Sequence, residues 1–169
     1  MHFFSEIKFK QESILIEAVR LTTNALLTDK DLPVKVEAAI ALQSLLSAQI
    51  KAQKFVEPWI REITFELLNV IRLTENDDLT TVMQKLVCTY TKQLEPIAVE
   101  ICQHLATTFS RVLESEEGSD EKAITAMGIL NTIETLLSVM ENQPLIMAQL
   151  QPTVLQVIAH IFSHSVIGI

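Results

Sequence analysis

Apolar residues recur along almost the whole chain at the three- and four-residue intervals of a helix. Leu79, Val82, Met83, Leu86, Val87 and Tyr90 form one stripe. Ala98, Ile101, Cys102, Leu105, Ala106, Phe109, Val112 and Leu113 form another, and Ile60, Ile63, Leu67, Val70 and Ile71 a third. Ile124, Met127, Leu130, Ile133, Leu137 and Met140 give a fourth, with Leu155, Ile158, Ile161 and Phe162 closing the series. No segment of useful length alternates with a period of two, so no strand is predicted. The pattern predicts seven helices, at about 6–28, 32–50, 56–73, 77–93, 95–114, 119–141 and 144–165. Connections this short favour antiparallel neighbours.

The breaks between stripes carry start signals. Asp31-Leu32-Pro33 opens a helix: proline is tolerated in the first turn, where its missing N–H costs nothing, and Asp31 is expected to cap it. Asn76-Asp77-Asp78 and Gly118-Ser119-Asp120-Glu121 open two more, with acids at the positive end of each helix dipole. Pro58, Pro96 and Pro144 stand at the fronts of others. The Asp-led starts at 31, 77 and 120 are spaced by 46 and 43 residues. That period matches HEAT and armadillo repeats of about 40–47 residues. Within DLPVKVEAAIALQSLL (31–46), Val36 begins a core stripe, Lys35 takes the basic position, and Ala38, Ala39 and Ala41 are small enough for close helix packing. The expected fold is all-α, an α-α superhelix of HEAT/armadillo type with about 3.5 two-helix repeats. The chain 1–169 is expected to be one solenoid segment, with repeats at about 6–50, 56–93 and 95–141 and a half repeat at 144–165. An ordinary helical bundle is the alternative, and it gives no reason for the caps to repeat.

Composition removes several classes. The 169 residues are 49% hydrophobic and 20% charged, with three Gly and five Pro, which excludes disordered, collagen-like and low-complexity chains. Thirteen Lys+Arg against 21 Asp+Glu give a net charge of −8, which argues against direct nucleic-acid binding, since that needs a basic stripe. Cys88 and Cys102 make no disulfide framework and are expected to be buried free thiols of a reducing compartment. The opening MHFFSEIKFK lacks the features of a secretory signal. No unbroken apolar run approaches the roughly 20 residues that cross a bilayer, so the chain is read as soluble, with no membrane partner. Mean hydropathy is nonetheless +0.30. With Phe3 and Phe4 at one end and Val166 to Ile169 at the other, neither end looks capped, and the chain reads as an internal slice of a longer solenoid.

Specific strings go further. EIKFK (6–10), DLPVKVEAAIALQ (31–43), TENDDLT (74–80), PIAVE (96–100), QHLA (103–106) and EEGSDEKAITAMGILNTIETLLSV (116–139) resemble the importin-β superfamily of nuclear transport receptors, and within it the importin seven/eight subgroup. The resemblance runs from His2 to about Val157 and is weakest over Phe162 to Ile169. It implies a nuclear import receptor (karyopherin) segment, not an enzyme, acting as a cargo-binding scaffold in Ran-dependent import. It implies protein cargo of basic character, such as ribosomal proteins or histones, contact with Phe-Gly nucleoporins, and shuttling between cytoplasm and nucleus. The matching strings are central in the receptor, so Ran-GTP is expected to act through parts of the parent missing here. The alternative is a HEAT-repeat interaction scaffold unrelated to nuclear transport.

Candidate contact residues follow from charge and placement. The loop Glu114, Glu116, Glu117, Asp120 and Glu121 is the densest acidic cluster and would steer a basic cargo; the plainer reading is a solvated loop whose last acids cap a helix. Ser115 and Ser119 within it are conceivable phosphorylation sites. By the resemblance, second helices of the pairs line the concave side, which makes Lys35, Gln84, Lys85 and Glu134, with Gln43, Thr81 and Asn131, the candidate contacts there. Trp59, Phe65 and Phe109 are candidates by type for an outer groove, although aromatics at helical spacing are usually core. His160 and His164 are four apart, but the HExxH pattern is absent, and residues two apart, as Cys102 and His104, do not share a helix face. With no nucleophile elbow and no phosphate-cradling glycine loop, no catalytic, metal or cofactor site is expected.

Overall fold

A computed structural model describes residues 11–114 and 120–166, apart from the side chains of Ala48, Glu121 and residues 164–166. It divides into two compact units, Met1–Thr74 and Glu75–Ile169. Among the described residues there is no strand, and seven helices of 13 residues or more stand where the apolar stripes predict them.

The first unit holds α1 (Glu12–Thr28), α2 (Leu32–Ala48), α3 (Ile50–Val56) and α4 (Ile60–Thr74). α1 and α2 form a hairpin, α4 packs on both, and the short α3 lies against the pair. Its core takes Leu15, Val19 and Leu26 from α1, Ala39, Leu42 and Leu46 from α2, and Ile63, Leu67, Val70 and Ile71 from α4. α3 was not expected. The chain breaks at Gln49, which is extended at φ −152°, ψ 127°, and the Gln53 side-chain amide donates to the Leu46 carbonyl at 2.9 Å, satisfying one of the orphan acceptors at the end of α2. Pro58 sits in a 3-10 turn, Glu57–Trp59, that feeds α4. Trp59, the single tryptophan, is 44% exposed, its ring 5.5 Å from that of Phe55.

The second unit holds α5 (Asp77–Thr89), α6 (Thr91–Leu94), α7 (Ala98–Glu114), α8 (Asp120–Met140) and α9 (Pro144–Val166). A break at Tyr90 (φ −115°, ψ 34°) ends α5 earlier than expected, and Pro96 lies in a 3-10 turn, Glu95–Ile97, before α7. α7 pairs with α8; α5 lies along α8, and α9 along α7. First helices thus stack on first helices and second on second, the layering of HEAT repeats. The fold is all-α and HEAT-type. Tyr90, the single tyrosine, is buried in this unit.

Several expectations change. Asn76 caps α5 as expected, accepting from the Asp78 N–H at 2.9 Å. Asp31 stands at the N-cap of α2, its carbonyl accepting the Lys35 N–H at 3.1 Å, but its side chain makes no cap bond; instead Asp29 Oδ1 accepts the Asp31 N–H at 2.9 Å, so the aspartate two residues earlier shapes the turn. Cys102 is buried but Cys88 is exposed, because α5 buries Leu86 and Val87 and the next position falls off that face. The stripes hold only in part on α8, where Ile133 and Met140 are buried, and fail on α9. Ile124 and Met127 are exposed while Thr125, Ala126, Ile129 and Thr132 are buried; Leu155, Ile158 and Phe162 are exposed while Leu150, Thr153 and Val157 are buried. Both helices are apolar nearly all round, so the spacing of large side chains does not mark the inner face. For the same reason Lys122–Met140 and Pro144–Ser163 are, by length and composition alone, long and apolar enough to cross a membrane, contrary to the count of unbroken runs. α8 buries part of that apolar surface against α5 and α7.

Candidate functional site

The acidic loop is described only in part. Glu114 closes α7 and Asp120 opens α8, both exposed; Glu116 and Glu117, with Ser115 and Ser119, lie outside the described residues, as does the side chain of Glu121. The Glu114 carboxylate is 4.0 Å from His160 Nε2 of α9, an ion pair only when the imidazole is protonated. The side chain of His164 is outside the described residues, and among those described no three His, Cys, Asp or Glu converge to hold a metal ion.

The concave-face candidates separate into two kinds. Lys35 on α2 is tucked in, 13% exposed at its side chain, and pairs with Glu66 of α4 at 2.5 Å. Gln84 on α5 is half-buried and reaches α8, its amide 3.3 Å from Thr132 Oγ1 and 3.5 Å from the Gly128 carbonyl. Gln43 donates to Ser47 Oγ. Lys85 on α5 and Asn131 and Glu134 on α8 are exposed, as is Thr81. Of the three aromatic candidates, Phe109 is core at 2% exposure, Phe65 is half-buried under the Arg61 guanidinium at 5.8 Å, and Trp59 presents itself to solvent.

Two grooves in the second unit differ in chemistry. The one between α7 and α9, about 440 Å³, is lined by amides and hydroxyls, Gln103, Thr107, Ser110 and Gln156 among them, with His160 at one end. The one between α8 and α9, about 580 Å³, is apolar, lined by Leu137, Met147, Val154 and Leu155. Leu145 and Phe162 on α9 are also exposed, at 80% and 66%.

Spacing gave no warning of the polar seam between α5 and α8. The Thr125 hydroxyl donates to the Glu75 carbonyl at 2.6 Å, and the Thr132 hydroxyl lies 3.3 Å from the Thr80 carbonyl. Glu75 has a positive φ of 50°, and its carboxylate accepts from Arg111 at 3.4 Å. The available signal was a pair of threonines seven apart on α8 with Gly128 between them. Burial alone shifts one titratable group: desolvation pushes the Cys102 thiol up to about 11, which keeps it protonated and unreactive.

No family model matches the chain, and no solved structure matches it. Importin-8 of Homo sapiens is 46% identical over 169 residues, covering 99% of this chain and 16% of importin-8. The Importin beta-like SAD2 homolog of Arabidopsis thaliana is 27% identical over 158 residues, 91% of this chain and 15% of the relative. The Probable importin-7 homolog of Dictyostelium discoideum is 24% identical over 162 residues, 95% of this chain and 15% of the relative. The chain spans about a sixth of the length of the curated relatives it matches. Paired helices stacked in HEAT fashion, and identity running end to end, agree with the strings first noted in the sequence: over nearly its whole length the chain is similar to a stretch of importin-8 and of its importin-7 and importin-β-like relatives.

Proposed function

We propose that the chain is a cargo-binding stretch of a nuclear import receptor, a scaffold in the Ran-dependent carriage of proteins into the nucleus. The observation that supports this most is the 46% identity to Importin-8 over nearly the whole chain. In this reading residues 1–169 form one solenoid segment, with repeats at about 6–50, 56–93, 95–141 and the half repeat 144–165. The mechanism rests on shape and charge. A surface of net charge −8 draws a basic protein, such as a ribosomal protein or a histone, and speeds its encounter. The acids Glu114, Glu116, Glu117, Asp120 and Glu121 supply the steering, and the exposed Lys85 and Glu134 make contacts on the second helices. Lys35 and Gln84, already engaged inside their units, act by holding those helices in place. Phe-Gly nucleoporins and Ran-GTP act on the whole receptor, which shuttles between cytoplasm and nucleus; no catalysis is assigned to it.

The test is a pulldown on immobilised linker histone, using a full-length receptor that carries this segment and the 169-residue chain alone, with and without Ran loaded with GTP. The receptor should bind and be released by Ran-GTP, and the chain alone should bind weakly and ignore Ran. A receptor indifferent to Ran-GTP would overturn the import reading.

A further inference from the structure

The groove between α7 and α9 holds hydrogen-bonding capacity that the fold does not use. One wall is the α7 row Gln103, Thr107 and Ser110, at helical spacings of four and three; the other is the α9 pair Thr153 and Gln156, three apart. Ala106 and Val157 add small apolar surface to the same groove. Thr107 spends its hydroxyl on the Gln103 carbonyl at 2.9 Å, as Thr108 does on that of His104. Thr153 does not. It is only 9% exposed, it lines the groove, and its hydroxyl bonds neither the Gln149 carbonyl one turn back nor any other atom among the described residues. A polar group buried to this degree normally has a partner. The side chains of Gln103, Ser110 and Gln156 likewise make no hydrogen bond among the described residues. Side-chain amides and hydroxyls both donate and accept, and a peptide unit offers one donor and one acceptor to match. No Asp, Glu, Lys or Arg lines the groove, so nothing in it repays the desolvation of a charged ligand. The row from Gln103 to Ser110 is about 10 Å long, the length of about three residues of extended chain. A volume of about 440 Å³ suits a ligand of that size.

We propose that the α7–α9 groove binds an extended, uncharged stretch of polypeptide by its main chain, about three residues with small side chains such as Ser, Asn or Gly. The Gln103 and Gln156 amides pair with its peptide units from opposite walls, and the Thr153 hydroxyl donates to a main-chain carbonyl between them. The groove stands on first helices, apart from the second-helix residues assigned above to cargo. The site therefore goes beyond the import reading, and either can fail without the other.

Titration of the isotope-labelled 169-residue chain with the capped peptide acetyl-Ser-Asn-Gly-Ser-amide, followed by nuclear magnetic resonance, tests this. Saturable shifts are expected at the side-chain amide signals of Gln103 and Gln156, with none at that of Gln84 in the α5–α8 seam. Thr153→Val keeps the shape of the side chain, removes the hydroxyl and should weaken the peptide about tenfold. Gln103→Ala with Gln156→Ala, both at exposed positions, should abolish saturable binding and leave Tm unchanged. Peptides with Lys or with Phe in place of Ser should bind at least about tenfold more weakly. The absence of saturable shifts at Gln103 and Gln156, undiminished affinity in the T153V chain or in the double glutamine variant, or tighter binding of the Lys or Phe peptide would each overturn the site.

Discussion

Gly128 and Thr80 touch so closely that a Cβ on Gly128 would lie 2.4 Å from Thr80 Oγ1 and 3.2 Å from Thr80 Cβ and Cγ2. Threonine is stiff at χ1 in a helix, and its Cβ moves only with the backbone. Gly128→Ala should therefore lose more by overpacking, about 1–3 kcal/mol, than the roughly 1 kcal/mol it gains in helix propensity. Thermal denaturation should show a lower Tm. Thr80→Ala in the same chain should recover part of the loss, so that the double variant is less damaged than the sum of the singles. A raised Tm for Gly128→Ala alone would contradict the close approach.

The two cross-helix lysine pairs of the first unit should differ sharply. Lys35 and Glu66 keep only 13% and 23% of their side-chain surface exposed, whereas Lys51 and Glu12 keep 63% and 58%. Lys35→Ala leaves a half-buried carboxylate without its cation and should cost about 1–3 kcal/mol. Lys51→Ala should leave the urea midpoint unchanged within error, since exposed pairs contribute little. Equal shifts for the two variants would refute the distinction.

Alkaline stability should carry the signature of Cys102. The unfolded thiol loses its proton near 9.0, the folded one near about 11. Between those values the folded chain holds a proton that the unfolded chain has released, so stability falls as pH rises through that window and is untouched below it. Cys102→Ala should remove this part of the decline in Tm between pH 8 and 11, other titrations being common to both chains. A thiol reagent at neutral pH should modify Cys88 in the native state and reach Cys102 only on unfolding. Rapid native modification of both would be inconsistent with the burial.

The apolar face of α9 should be dispensable to folding. Leu145, Leu155 and Phe162 are 80%, 55% and 66% exposed. Replacing all three by Gln should leave Tm within a few degrees and lower the binding of an apolar dye. A large loss of stability would mean that these side chains pack in the free chain.

Legibility in the sequence tracks amphipathicity. On α4 and α5 one face is apolar and the other charged, and every residue of the stripes from Ile60 to Ile71 and from Leu79 to Tyr90 is buried. On α8 the first two large apolar residues of the stripe, Ile124 and Met127, face out, while Thr125 and Thr132 face in and satisfy their hydroxyls on carbonyls. A threonine is polar on any scale, and only the partner brought from 50 residues away makes its burial favourable. The turn before α2 misled in the same manner: Asp31 stands at the N-cap but leaves its side chain out of the helix, and the aspartate bond that forms is from its own N–H to Asp29 Oδ1. Among the candidate contacts, Lys35 and Gln84 are surface residues by type, and it took Glu66 and Thr132 to draw them in.

Trp59 lies in the first unit and Tyr90 in the second, and the chain has no other tryptophan or tyrosine. Nature has thus given each unit its own chromophore. Excitation at the long-wavelength edge, where only the indole absorbs, reports on the first unit alone; subtracting that curve from the near-ultraviolet band shared by indole and phenol leaves the second. One unlabelled sample, heated once, yields two melting curves, and their coincidence or separation tells directly whether the two halves unfold as one.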